Sequence, residues 1–170
     1  MKKKNDFHGH FEGILRYWER CREREGGGFH HLIDSTGTVI PSPHRVILIQ
    51  ARQLYNYAEG MRAGFDFCRD HAAHLYDYLT TTLRTPGGWY TSLVDGQQSS
   101  PAGLDTYMNL FVVIAMARYA QAAGRADIRE EAWRLLRLIE EKTIPGHLRM
   151  DGVLGCWGEG ERGFAPIGKY

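Results

Sequence analysis

The sequence predicts an all-α protein made of stacked helix pairs that curve about a common axis, and three observations predict it. Five segments carry apolar residues at the three-and-four spacing of a helix face. The segment Gly27-Gly28-Phe29-His30-His31-Leu32-Ile33-Asp34 returns, one residue longer, as Gly87-Gly88-Trp89-Tyr90-Thr91-Ser92-Leu93-Val94-Asp95, an offset of 60 (87 − 27) with two helices in each period; such a repeat is the mark of a helical array. The fourth segment is apolar on nearly all sides whereas the fifth is amphipathic, the pairing expected of an inner and an outer helix of a ring.

The first segment, Asp6 to Arg24, aligns Phe7, Phe11, Ile14, Leu15 and Trp18, and Gly26 to Gly28 end it. The second, His44 to Glu59, follows Pro43, aligns Ile47, Ala51, Leu54 and Ala58, and stops at Gly60;. The third, Arg62 to Leu83, sets Phe65, Cys68, Ala72, Leu75, Tyr76 and Leu79 on one side and closes at Pro86-Gly87;. The fourth, Thr106 to Ala123, contains the unbroken apolar run Leu110 to Ala117, with Asp105 as the expected N-cap;. The fifth, Asp127 to Lys142, aligns Ala132, Leu135, Leu136 and Ile139. The Gly-Gly-aromatic segments, each with Leu-x-Asp after it, are expected to form short hairpins at the ends of helix pairs. A degraded third copy falls at Gly146 to Gly152, and residues 152–170 read as a Gly-rich irregular tail of one domain spanning 1–170.

Composition narrows the function. Lys and Arg number 21 against 20 Asp and Glu, for a net charge of +1, so no nucleic-acid partner is expected. No apolar run approaches the roughly 20 residues that span a bilayer, nor does a signal-like stretch follow Lys2 to Lys4, so no membrane partner is expected and the predicted location is cytoplasmic. Cys21, Cys68 and Cys156 are odd in number and far apart, which supports neither a disulfide framework nor a zinc site. Aromatic residues make up 12% of the chain, with 9 Tyr and 4 Trp, which suits a dense core or a cleft lined with flat rings.

Four motifs in order carry a family resemblance: Gly27-Gly28-Phe29, Ile49-Gln50-Ala51-Arg52-Gln53, Gly87-Gly88-Trp89, and Tyr107-Met108-Asn109-Leu110-Phe111 running on through Ala115 to Tyr119 and Gly124. Over about residues 10 to 143 the chain resembles the N-acylglucosamine 2-epimerases, cellobiose 2-epimerases and mannose isomerases, with Asn109 standing where the family has Gln. The resemblance implies an (α/α)6 barrel of six helix pairs, incomplete in this chain, and a sugar 2-epimerase or aldose-ketose isomerase that removes the C2 proton of an open-chain sugar through an enediolate. It implies no cofactor and no metal. The two histidines that act as acid and base lie in the family's C-terminal half, which this chain is expected to lack.

The resemblance assigns Arg52 to catalysis and Tyr107 to the sugar cleft; His30 is a further candidate sugar contact by its position beside the first Gly-Gly-aromatic segment. Arg52 also has a physical case, since a guanidinium inside Ile47 to Ala51 is costly to bury without an oxygen partner; the plainer readings are an ion pair with Glu59 or Asp105, or a solvent-facing side chain. His71 and His74, one helical turn apart, are expected to face solvent. An open arc of pairs leaves apolar faces unmatched, which fits a truncated product, a fragment, or a homo-oligomer covering those edges. The alternatives are a noncatalytic helical-repeat module that binds a glycan or protein on its concave face, and a glycosidase, which would need opposed carboxylates.

Overall fold

A computed structural model describes residues 6–99 and 105–143; the third Gly-containing copy, the Gly-rich tail and Cys156 lie outside the described residues. Asp6 caps the first helix, α1 (Phe7–Glu19), its carboxylate accepting from the Gly9 N–H at 3.0 Å;. The helix ends at Glu19 rather than Arg24 because the following backbone is already paired. The His30 N–H donates to the Cys21 carbonyl at 2.7 Å and the Glu23 N–H to the Gly28 carbonyl at 2.9 Å, around an antiparallel bridge between Arg22 and Phe29. Of the expected stripe Leu15 alone is buried; Phe11 and Trp18 are half-buried, and Phe7 is 77% exposed.

The second helix, α2 (Ile47–Arg62), starts at Ile47 rather than His44 for the same kind of reason. Arg45 exchanges both backbone hydrogen bonds with Leu93, at 3.0 and 2.9 Å, and the Ser92 hydroxyl accepts from the Ile47 N–H at 3.0 Å. Gly60 does not stop the helix. A Cβ there would come within 2.4 Å of Cys68 Sγ and 2.7 Å of Leu15 Cδ1, so this glycine is what lets three elements meet. The stop is Gly64, at φ +92°, with the Phe65 N–H reaching back to the Gly60 carbonyl at 2.9 Å;. Gly60→Ala, which in an exposed helix would stabilise, is therefore expected to cost about 1–3 kcal/mol by overpacking, measurable by urea unfolding.

The third helix, α3 (Cys68–Tyr78), winds on into a π-helical turn, Leu79–Leu83. Thr80 and Thr81 donate their hydroxyls to the Tyr76 and Asp77 carbonyls at 2.9 and 2.8 Å, serving carbonyls in the turn before the wider winding. The fourth, α4 (Thr106–Ala123), has the expected bounds: Asp105 accepts from the Met108 N–H at 2.9 Å and Gly124 ends it at φ +68°. The fifth is α5 (Ala126–Thr143), which buries Ile128, Ala132, Leu135 and Ile139. The apolar run of α4 predicts a helix covered on most sides. Its Val112, Ala115 and Met116 are buried, but Ile114 is 51% exposed, and so one apolar face is open.

Two layers result. The inner helices α2 and α4 pack on each other, with α3 against α2 and α5 against α4. Glu131 of α5 ties the second layer together, accepting from the Tyr76 and Tyr90 hydroxyls at 2.7 and 3.0 Å and pairing with Arg84 at 3.4 Å. Two-stranded hairpins follow the Gly-Gly segments: β1 (Leu32–Ile33) with β2 (Val39–Ile40), and β3 (Leu93–Val94) with β4 (Gln97–Gln98). The second turns through Asp95 and Gly96, both at positive φ (51° and 76°), as a two-residue hairpin of this hand requires.

The repeat is structural, with a shifted register. Phe29 bridges Arg22, and Tyr90 bridges Arg84, so the counterpart of Phe29 is Tyr90 rather than Trp89. In each copy one inner-helix amide clamps the backbone of that aromatic residue. Gln50 accepts from the Phe29 N–H and donates to its carbonyl, both at 2.8 Å. Asn109 does the same for Tyr90 at 2.8 and 3.0 Å.

Candidate active site

The clamps set the rotation of α2 and α4, and with it the side chains that reach their open face. Counted from the clamp amides, an offset of 59 (109 − 50) relates Arg52 to Phe111, Tyr55 to Ile114 and Glu59 to Arg118. Both predicted residues lie on this face. Arg52 is exposed, and its guanidinium sits 5.0 Å from the Phe111 ring centroid. Tyr107, 37% exposed, meets Phe111 edge-on, with centroids 5.1 Å apart and planes at 72°. Arg52 and Tyr107 are thus joined through the ring of Phe111, which its motif alone does not single out. The signal was the repeat itself, which places Phe111 at Arg52's position.

The other end of the face is closed by charge. Arg118 forms an ion pair with Glu59 at 2.7 Å and lies 5.7 Å from the Tyr55 ring centroid, while Arg62 reaches Glu59 at 3.3 Å. Seven residues of helix separate Arg52 from Glu59, about 10 Å at 1.5 Å per residue. Arg52 is not buried, so its burial cost is not at issue, and its two candidate carboxylate partners are engaged elsewhere. Glu59 serves Arg118 and Arg62, and Asp105 caps α4. Among the described residues no carboxylate pairs with Arg52.

His30 belongs to a different cluster. It is 8% exposed, with Nε2 2.8 Å from Glu23 and Nδ1 accepting from the Ser42 N–H at 3.4 Å. Arg45 completes the cluster, 3.4 Å from the same Glu23 oxygen and donating to the Gly27 carbonyl at 3.5 Å. The Glu25 backbone N–H, ahead of the other causes, lowers the Glu23 pKa. The structure does not bring His30 into contact with Arg52, Phe111 or Tyr107.

His71 and His74 do not face solvent as expected. Phe29, fully buried, pushes between them: their rings lie 6.1 and 6.4 Å from it, and His71 packs on Tyr57 at 4.8 Å and meets Glu19 at 3.1 Å. Gly27 and Gly28 lie flat against Tyr78, where a Cβ on either would come within 2.6 Å of the ring; hence this side of α3 faces inward. Burial, with the Arg22 guanidinium second, lowers the His74 pKa. The unfolded chain then binds the extra proton first, so stability falls as the pH drops below about 6.5. Urea midpoints are expected to fall less steeply from pH 7 to 5 in His74→Gln than in the parent; parallel profiles would refute this assignment.

Among the described residues no group of three His, Cys, Asp or Glu is placed to hold a metal, and no helix is long and apolar enough to cross a membrane. Paired helices in two layers, with an open inner face of rings and guanidinium groups, define a helical-repeat protein with a face suited to a polar ligand. The chain belongs to the N-acylglucosamine 2-epimerase family, whose sequence profile it matches over residues 27–150. It is 25% identical over 134 residues to a cellobiose 2-epimerase of Ruminococcus albus, a match covering 77% of this chain and 34% of that protein. It therefore spans about a third of the length of the curated relatives it matches. Its fold is that of the cellobiose 2-epimerase of Spirochaeta thermophila (TM-score 0.72, 23% identity, 94% of this chain and 44% of the other) and of a D-mannose isomerase (TM-score 0.73, 20% identity, 82% and 36%).

Proposed function

We propose that the chain is part of a sugar 2-epimerase or aldose-ketose isomerase, and that the α2–α4 face forms one wall of its cleft in an (α/α)6 barrel. One observation carries this reading: Arg52 is held by a ring face rather than a carboxylate, beside Tyr107, on an open inner face. In this reading the guanidinium donates to the C1 oxygen of the open-chain sugar. An imidazole takes the C2 proton, the C2–H electron pair moves into the C1–C2 bond, and the C1 oxygen becomes the anionic enediolate oxygen that Arg52 steadies. Return of a proton to the other face of C2 gives the epimer, and a proton delivered to C1, with the O2 proton passing to O1, gives the ketose. The acid and base, two histidines in the family resemblance, come in this reading from the two thirds of such a protein that this chain does not match.

The test is a proton NMR titration with mannose, glucose, N-acetylmannosamine and cellobiose, combined with deuterium wash-in at C2 in D2O. Sugar-induced shifts are expected at the Arg52 Nε–H and the Tyr107 ring, with wash-in wherever the acid-base pair is supplied. Unmoved signals at saturating sugar would sink the reading. Monosaccharide released from cellobiose would replace it with a glycosidase, and shifts confined to another surface would favour a noncatalytic glycan-binding module.

A further inference from the structure

We infer that Phe111 is a positioning residue for Arg52, holding the guanidinium over its ring so that the N–H donors stay unspent for a ligand oxygen. The inference rests on the sugar reading for the identity of that ligand, and on the structure for the rest. Four arginines among the described residues stack on rings, and three of them spend donors close by. Arg16, over Phe67 at 4.0 Å, gives its Nε to Glu12 at 2.9 Å. Arg20, over Tyr17 at 4.2 Å, gives its Nε to the Tyr17 carbonyl at 3.0 Å. Arg118, over Tyr55 at 5.7 Å, gives its Nη1 to the Gln121 side-chain oxygen at 3.2 Å and is ion-paired with Glu59 at 2.7 Å. Arg52, over Phe111 at 5.0 Å, makes no hydrogen bond to any described residue.

That difference has a chemical meaning. A carboxylate would orient the guanidinium but occupy its fork, and the attraction would have to be broken before a substrate oxygen could bind. A ring face orients the plane through the cation–π attraction and leaves the edge, where all five N–H bonds lie, free. The ring is itself fixed: Tyr107 stands edge-on to it at 5.1 Å, and the buried clamp residue Asn109, two positions before it, locks α4 to the Tyr90 backbone. Arg52 and Phe111 hold the same place in successive repeats, so neighbouring inner helices present a donor and its support side by side.

The experiment follows the Arg52 Nε–H resonance in the full chain, in the parent and in Phe111→Leu and Phe111→Trp. In the parent this proton is expected upfield from ring shielding; Leu, which keeps apolar bulk, returns it to the free-arginine position, and Trp keeps it shifted. Affinity for mannose or cellobiose, read from the same signal, is expected to fall about 2–5-fold in the Leu variant, the size of one exposed cation–π contact, and to recover with Trp. An Arg52 resonance identical in parent and Leu variant overturns the positioning role. A resonance that depends on Phe111 yet moves with no sugar overturns the ligand assignment instead, which separates failure of this inference from failure of the sugar reading. Should the Leu variant unfold, Tyr107→Leu, which frees the Phe111 ring, is expected to weaken the same shift.

Discussion

Gln50→Leu is expected to destabilise the chain by about 2–5 kcal/mol, the cost of leaving a buried backbone donor and a buried acceptor unpaired. Gln50 is fully buried, and its amide is the hydrogen-bond partner of both the Phe29 N–H and the Phe29 carbonyl. Leucine fills similar volume, so the loss is chiefly polar. Water cannot repair it, because Phe29 is fully buried and its ring is packed against Tyr57 at 5.6 Å. Asn109→Leu is expected to cost a similar amount, since it does the same for Tyr90. Urea unfolding followed by circular dichroism measures both; a loss below about 1 kcal/mol in both variants would mean the clamps do not hold the repeat together.

The clamps also show what the sequence could and could not reveal. The five helices were legible because apolar periodicity is a local signal, and α4 was found to the residue because an Asp cap and an αL glycine flank it. The displaced ends of α1, α2 and α3 are set by contacts that helix periodicity does not encode. Cys21 pairs with His30 beyond the glycines and Glu23 with Gly28 itself, Arg45 pairs with Leu93, and Gly60 makes room for Cys68. The repeat was visible at its glycines, but its aromatic register was off by one because the pairing of Phe29 and Tyr90 depends on which residue an amide on another helix grips. Arg52 and Tyr107 came from family resemblance. Phe111 lay within the same quoted motif, yet its link to Arg52 exists only once α2 and α4 pack. His71 and His74 read as solvated because a charged helix side with Arg69, Asp70 and Asp77 gives no hint that Phe29 will fill the space beside them.

Arg52→Ala is expected to cost at most about 1 kcal/mol of stability, the size of one exposed cation–π contact, and to reduce C2 deuterium wash-in by about 100- to 1000-fold wherever wash-in occurs. The two halves of this prediction follow from one geometry. The guanidinium holds no carboxylate and caps no helix, so little folding energy is lost with it. The same unspent donors are what a developing enediolate oxygen would take up in a water-poor cleft, where each donor counts for more than in bulk water. Arg52→Lys separates charge from shape: an ammonium keeps the charge but cannot present a planar fork, so most of the rate should be lost while sugar affinity changes little. Paired melting and wash-in measurements on the two variants decide the matter. Loss of stability in parallel with loss of exchange would make Arg52 a structural residue. Exchange retained in Arg52→Ala would remove it from the chemistry and leave the enediolate without a donor from this face.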